Sequence, residues 1–570
     1  MVTGATGACV GNIAPIPRPN FSGLYLQDRP AAIRQADLAS VFPASLTTVA
    51  TWDKALVYQR GLAMAQEFRD KGAHVILGPV CGPLGRHALG GRNWESFSPD
   101  PYLTGVLAAQ TVEAIQSIEV QACIKHYIGN EQELRQTPVT APNGSTVLAI
   151  TSNIDDKTMH ETYLWPFANV IKSGVAAVMC SYNRFNETYG CENSKTLNGL
   201  LKGQDELNFQ GYVMSDWSAV HSSRPNVLSG LDMNMPGPIS SSGSSSTPPS
   251  FFGLNLTAWV QNDSIQETRL DDMIRRTLLP YLHLGQDQNY PSVDPSTAAI
   301  GRIRSNQYQL PLTPARDVRG DHGGLIRYIA SQGTVLLKNT NGTLPLKRPM
   351  NIGIFGNDAP DVTDGLAIPS NTSIGTLMIG GGSVAGRATH IVSPLSALLA
   401  RAQGDGTRVQ YMTDGLHIAN GNLGSLYPIP DICIVFLKTC AGEGNDRTLF
   451  ELDRNSTVVV KQVTSVCNNT VVITHSVGIN TMPWATNPNV TAIVAAHLPG
   501  QESGNSIVDV LYGLVNPGGK LPYTIAQNAS DYNAPILNLT GTANEYNSAA
   551  WQSSFTEGQL IDYRHFDNAV

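Results

Sequence analysis

Gly211-Tyr212-Val213-Met214-Ser215-Asp216-Trp217 is a short apolar run that ends in an acid followed by a tryptophan. A buried strand reads this way when a polar group waits at its C-terminal end. Similar runs precede it at Ala73–Val80, Val120–Ile124 and Val175–Cys180, with helix-like patterns at Leu107–Ile118 and Thr158–Ile171 between them. Alternating β and α units over about 280 residues predict a (β/α)8 TIM-barrel-like domain, with functional side chains at the C-terminal ends of its strands.

Outward from that region the pattern breaks and restarts. Pro236–Ser250 is rich in Ser, Pro and Gly, and Gln286–Gln309 reads as a linker. A second series follows, at Thr334–Lys338, Asn351–Phe355, Val409–Met412, Ile432–Leu437, Val471–Thr474 and Val490–Ala496, with helical stretches such as Leu395–Arg401 and Ser506–Tyr512. This predicts a doubly wound α/β sandwich. The expected organisation is a barrel at 1–285, a linker at 286–320, a sandwich at 321–530 and an irregular extension at 531–570. A chain of 570 residues suits two cores, since one core rarely grows past ~250–300 residues.

The composition, 42% hydrophobic and 14% charged with a net charge of -8, is that of an ordinary globular protein and offers no basic field for nucleic acid. No apolar run is long enough to span a membrane. The eight cysteines make no CxxC pair and no zinc spacing, so a metal site is unsupported; Cys180 and Cys191 are the best disulfide candidates. Sequons at Asn143, Asn186, Asn255, Asn371, Asn455 and Asn538, among others, lean towards a secreted glycoprotein, although Met1-Val2-Thr3-Gly4 opens no signal peptide. A homodimer is left open.

Asp216 could attack a sugar's anomeric carbon while Trp217 packs on the ring's apolar face; read locally, it could equally cap the following turn. Arg92, Lys125 and His126 follow other barrel runs and would converge on the same mouth. Arg92 could instead make a structural salt bridge, and His126 could be a satisfied core histidine. Glycoside hydrolysis needs a second carboxyl group. Glu443, between Gly442 and Gly444 just after Ile432–Leu437, sits on a loop able to reach a neighbouring domain, though loop glutamates are usually solvated. The glycine-rich stretch Gly375–Gly386 lacks phosphate-loop spacing and reads as a loop near a ligand.

Six motifs together are specific: Leu26-Gln27-Asp28, Gly91-Arg92-Asn93-Trp94-Glu95, Lys125-His126-Tyr127-Ile128-Gly129-Asn130-Glu131, Met179-Cys180-Ser181-Tyr182-Asn183, Ser215-Asp216-Trp217 and His497-Leu498-Pro499-Gly500-Gln501-Glu502-Ser503. Through them the chain resembles the fungal β-glucosidases of glycoside hydrolase family 3. The resemblance implies a retaining mechanism on cellobiose, short cellodextrins or aryl glucosides, hence cellulose degradation, with Asp216 as nucleophile and Glu443 as acid and base. It implies that Asp28, Arg92, Lys125, His126 and Tyr182 hold the glucose, lined by Arg34, Met179, Trp217 and Ser383, without a cofactor. On this reading Glu443 needs a raised pKa, from burial or from the Asp216 charge.

Several positions depart from the family pattern. Arg29 and Ser218 stand where glycine is usual, Asn445 replaces an aromatic residue, and Tyr25 occupies the place of a partner for Cys9, leaving an expected free thiol. The chain ends at Ile561–Asp567, the family's lead-in to a fibronectin type III-like domain, and begins inside its first motif, so an incomplete gene model is the expectation at both ends. A weak or inactive sugar-binding paralogue and a β-xylosidase are the rival readings. A β-N-acetylglucosaminidase fits worse, because Lys125–Gly129 does not match its motif.

Overall fold

The computed structural model describes the chain except for residues 6, 19, 29, 30, 35, 240–248, 295–314, 363–374, 384, 385 and 570. Arg29, Asn371 and most of the expected linker therefore lie outside the described residues.

The first domain is built on a six-stranded sheet whose strands follow chain order: β1 (Gly11–Ile13), β2 (Leu24–Asp28), β3 (Val75–Leu77), β4 (Gln121–Tyr127), β5 (Ala177–Cys180) and β6 (Tyr212–Ser215). Only β1 is antiparallel to its neighbour; β2 to β6 run parallel. Single bridges carry the sheet onward from Met214 to Met233 and from Asn234 to Thr3, which curls it into a barrel. The barrel-like class is as expected, but among the described residues it is irregular, with six strands and bridging residues in place of eight equal βα units. Its interior is filled by Leu26, Leu77, Cys123, Met179, Met214 and Met233. Outside, Lys54–Asp70 packs against Pro101–Gln116, which packs against Trp165–Lys172. Asp53 and Asp100 cap the first two of these helices by accepting backbone hydrogen bonds.

The second domain holds β7 (Val335–Asn339), β8 (Asn351–Phe355), β9 (Arg408–Met412), β10 (Ile432–Thr439), β11 (Thr470–Ser476) and β12 (Val490–Ala495), in the order β7-β12-β11-β10-β8-β9. All neighbours are parallel except β7 with β12. Strand β10 shows why a continuous apolar run forms here. Ile432, Ile434 and Phe436 enter one core with Leu398 and Leu511. Cys433, Val435 and Leu437 enter the opposite core with Val459 and Val463. Helices on both faces demand such a strand.

The C-terminal residues return to the barrel. Gln552–Ser554 pairs in parallel with Thr151–Asn153, Trp551 is fully buried, and Arg86 reaches Ser553, Ser554 and Glu557. Lys71 and Asp294 make a completely buried ion pair at 2.7 Å, and the same ammonium donates to the carbonyl of Arg316. The disulfide Cys180–Cys191 is present, and a second, Cys433–Cys467, ties β10 to the end of the helix Ser456–Val466. Cys9 is buried and belongs to neither.

Candidate active site

Asp216 follows β6 directly and is only 6% exposed. One carboxylate oxygen accepts from the Trp217 backbone N–H at 2.7 Å, which fixes the rotamer. Among the described residues the other accepts no hydrogen bond of good geometry; it lies 3.6 Å from His126 Nε2, and the Tyr182 phenol stands against the same carboxyl group. His126 spends its Nδ1 on the Gly82 carbonyl at 2.9 Å. A carbonyl only accepts, so Nδ1 carries the hydrogen and Nε2 presents a lone pair to Asp216. Burial and then the charges of Arg92 and Lys125 keep this imidazole neutral, far below its ordinary value.

Asp28 ends β2, and Lys125 of β4 reaches it across β3. Arg34 Nη1 lies 3.1 Å from one of its oxygens and Lys125 Nζ 3.7 Å from the other. Arg92, 1% exposed, makes a two-pronged pair with Glu95 at 2.6 and 2.9 Å and turns its remaining nitrogen to Glu443 at 3.3 Å. The salt-bridge and site readings of Arg92 are thus both true. Tyr182 senses both carboxyl groups: after burial, the charges of Asp216 and Glu443 push its phenol well above the ordinary value. The Trp217 indole donates to the Val10 carbonyl at 3.2 Å and lies over Gly11, where an added Cβ would come within 2.8 Å of the ring. Met179 sits in the apolar barrel interior.

Glu443 arrives from the other domain on the loop after β10. Its second oxygen accepts from the Ser383 backbone N–H at 2.7 Å. A bridge between Gly381 and Gly442 brings the two loops so close that a Cβ at Gly442 would fall 2.2 Å from the Gly381 carbonyl. Small residues are required there by contact, not flexibility.

The two carboxyl groups are poised in opposite senses. Burial raises Asp216 to about 6; Lys125 opposes this and the Glu443 charge adds to it. Burial would raise Glu443 as well, but Arg92, both hydrogen bonds from Ser383 and Lys125 outweigh it and hold this carboxyl at about 2. This corrects the expectation of a raised Glu443, because the Arg92 guanidinium and the Ser383 donors bond the glutamate directly, whereas for Asp216 burial outweighs Lys125, Arg92 and the Trp217 amide.

Ser218 has φ of +65°, the left-handed region that favours glycine, which gives a physical reason for glycine at this place. Glu95, Glu133 and Asp446, all around Arg92 or the Glu443 loop, were not singled out from sequence. The spacing Arg92-x-x-Glu95 could have flagged the first; the other two carry no local signal.

Two carboxyl groups from different domains, set among Arg92, Lys125 and a neutral histidine, fit one class: a glycoside hydrolase. Residues 31–278 match the glycosyl hydrolase family 3 N-terminal domain and residues 334–563 the glycosyl hydrolase family 3 C-terminal domain. The chain is 56% identical to a probable beta-glucosidase G of Emericella nidulans, over its whole length and 70% of that protein, and 55% identical to its namesake in Aspergillus oryzae over the same shares. Among solved structures, a glycoside hydrolase family 3 beta-glucosidase from Neurospora crassa superposes with a TM-score of 0.90 at 41% identity, covering 100% of this chain and 69% of that one. A beta-D-glucoside glucohydrolase from Trichoderma reesei gives 0.87 at 39%, covering 100% and 75%. The chain belongs to glycosyl hydrolase family 3.

Proposed function

We propose that the protein is a retaining β-glucosidase that removes terminal non-reducing β-D-glucosyl residues from cellobiose, short cellodextrins or aryl β-glucosides. The observation that carries this is the meeting of Asp216 and Glu443, from separate domains, around the cations Arg92 and Lys125. The names of the relatives point to the same activity.

Asp28 accepts sugar hydroxyls while Arg34 and Lys125 hold it in orientation. Lys125, His126 and Arg92 donate or accept at the remaining hydroxyls, and the ring is set with its anomeric carbon over the Asp216 oxygen beside His126. Asp216 attacks, a glycosyl ester forms, and Glu443 gives its proton to the departing oxygen. Glu443 then takes a proton from the water that attacks the ester, which restores both groups. Trp217 offers an apolar face at the edge of the ring.

The two disulfides support an oxidising compartment. Exposed acceptors at Asn143, Asn255, Asn455 and Asn538 support a secreted glycoprotein. The test is hydrolysis of 4-nitrophenyl β-glucoside by the purified chain beside Asp216→Asn. Activity is expected to fall on the order of 10⁴-fold or more in the variant. Equal activity in both would remove Asp216 from the mechanism, and a folded protein inactive on every β-glucoside would overturn the function.

A further inference from the structure

Glu443 stands between two glycines, and Gly444 has φ of +79° with nothing within 4 Å of an added Cβ. A loop of that composition does not hold an acid in place by itself. Besides the Ser383 amide and the Gly381 bridge from its own domain, a set of contacts on the barrel fixes it. The Gly444 N–H donates to Glu133 Oε2 at 2.8 Å, and the Gln136 side chain donates to the same oxygen at 2.7 Å. In the reverse direction Asp446, two residues further along the loop, accepts from three barrel N–H groups: Gly91 at 2.9 Å on one oxygen, Glu133 at 2.9 Å and Leu134 at 2.8 Å on the other. The Arg447 N–H adds a bond to the Leu89 carbonyl at 2.9 Å. A Cβ on Gly91 would meet the Asn445 carbonyl at 2.2 Å, so the two backbones are in contact.

We propose that Glu133 and Asp446 form a reciprocal clasp across the domain boundary that positions Glu443 for proton transfer. Each carboxyl group comes from one domain and binds backbone of the other, and Glu133 bonds the residue next to the acid. The two are positioning residues, and the inference rests on the glycosidase reading above. Asp216 follows β6 of the barrel and takes no part in the clasp, so loosening the clasp displaces the acid and base while leaving the nucleophile in place.

That asymmetry gives a readout which ordinary destabilisation does not share. A leaving group as acidic as 2,4-dinitrophenolate departs without a proton, whereas the glucose of cellobiose does not. Azide can attack the glycosyl ester without a base, releasing the Asp216 carboxylate and forming the C–N bond of a glucosyl azide. The expected result for Glu133→Ala is a loss of about 10²-fold in kcat/KM on cellobiose. On 2,4-dinitrophenyl β-glucoside kcat/KM should change by less than roughly threefold, and azide should raise kcat and yield glucosyl azide. Glu133→Gln keeps an acceptor for Gly444 and should stay close to wild type on both substrates.

Equal losses on both substrates in folded Glu133→Ala, or no loss on either, would overturn the clasp. If that variant does not fold, the isosteric Asp446→Asn decides: it loses one acceptor side of Asp446 and must show the same split between substrates. A wild type that turns over neither substrate would overturn the glucosidase reading and the clasp with it. An active wild type with unsplit losses overturns the clasp alone.

Discussion

Asp216 and Glu443 hold one proton between them over much of the acidic range, and in the free site that proton rests on Asp216. In the proposed mechanism the productive arrangement has it on Glu443. Both arrangements carry the same total charge, so kcat/KM follows the number of protons on the pair and not their placement. With Asp216 raised to about 6 and Glu443 held at about 2, the pair keeps one proton between those values. The expected profile on an alkyl or cellobiose substrate is a plateau in mildly acidic solution and a tenfold fall per pH unit above about 6, where the last proton leaves. A rate that holds level from pH 5 to pH 8 would contradict it. Sequence offered Asp216, at the end of an apolar strand, and Glu443, between glycines, only as candidates, which the family resemblance then paired. It could not show which carboxyl group is the weaker acid. That depends on Arg92 and on the Ser383 amide, which only the assembled fold brings to Glu443.

Elements with a strong apolar pattern were legible, and those without one were not. The runs at Asn351–Phe355 and Ile432–Leu437 became β8 and most of β10, because strands covered on both faces must be apolar throughout. Gln552–Ser554 has no apolar residue to betray it, yet it is a strand, held by pairing with Thr151–Asn153 and by the tryptophan before it. The Trp551 ring lies under Arg135, its centroid 4.6 Å from the guanidinium carbon, and its N–H donates to the Glu545 carbonyl at 2.9 Å. Removing a fully buried tryptophan typically costs about 3–5 kcal/mol. Trp551→Ala should therefore lower the melting temperature and open the peptide bonds after 531 to limited proteolysis while the barrel stays intact. Unchanged resistance to protease would show that the C-terminal strand is held by its other contacts, chiefly Arg86 with Glu557. The bridges that close the barrel through Met233 and Asn234 escaped for a related reason: single-residue pairings leave no periodicity.

At the scale of the molecule, the proposed mechanism draws its nucleophile and sugar-holding groups from the barrel, and the sandwich lends the second carboxyl group through one loop. The division into two α/β units was readable from the recurrence of apolar runs. The interlocking of Gly381 with Gly442 and of Gly91 with Asn445 was not, since contact between distant backbones leaves only scattered glycines in the sequence. The central claim is that the Asp216 oxygen beside His126 bonds to the sugar. Its most direct measurement is incubation with 2,4-dinitrophenyl 2-deoxy-2-fluoro-β-glucoside, followed by digestion and mass mapping of the labelled peptide. The account requires one fluoroglucosyl group per chain, on the peptide containing Asp216, with loss of activity in proportion to labelling. A label on the Glu443 or Asp28 peptide, or an active enzyme that takes none, would contradict it.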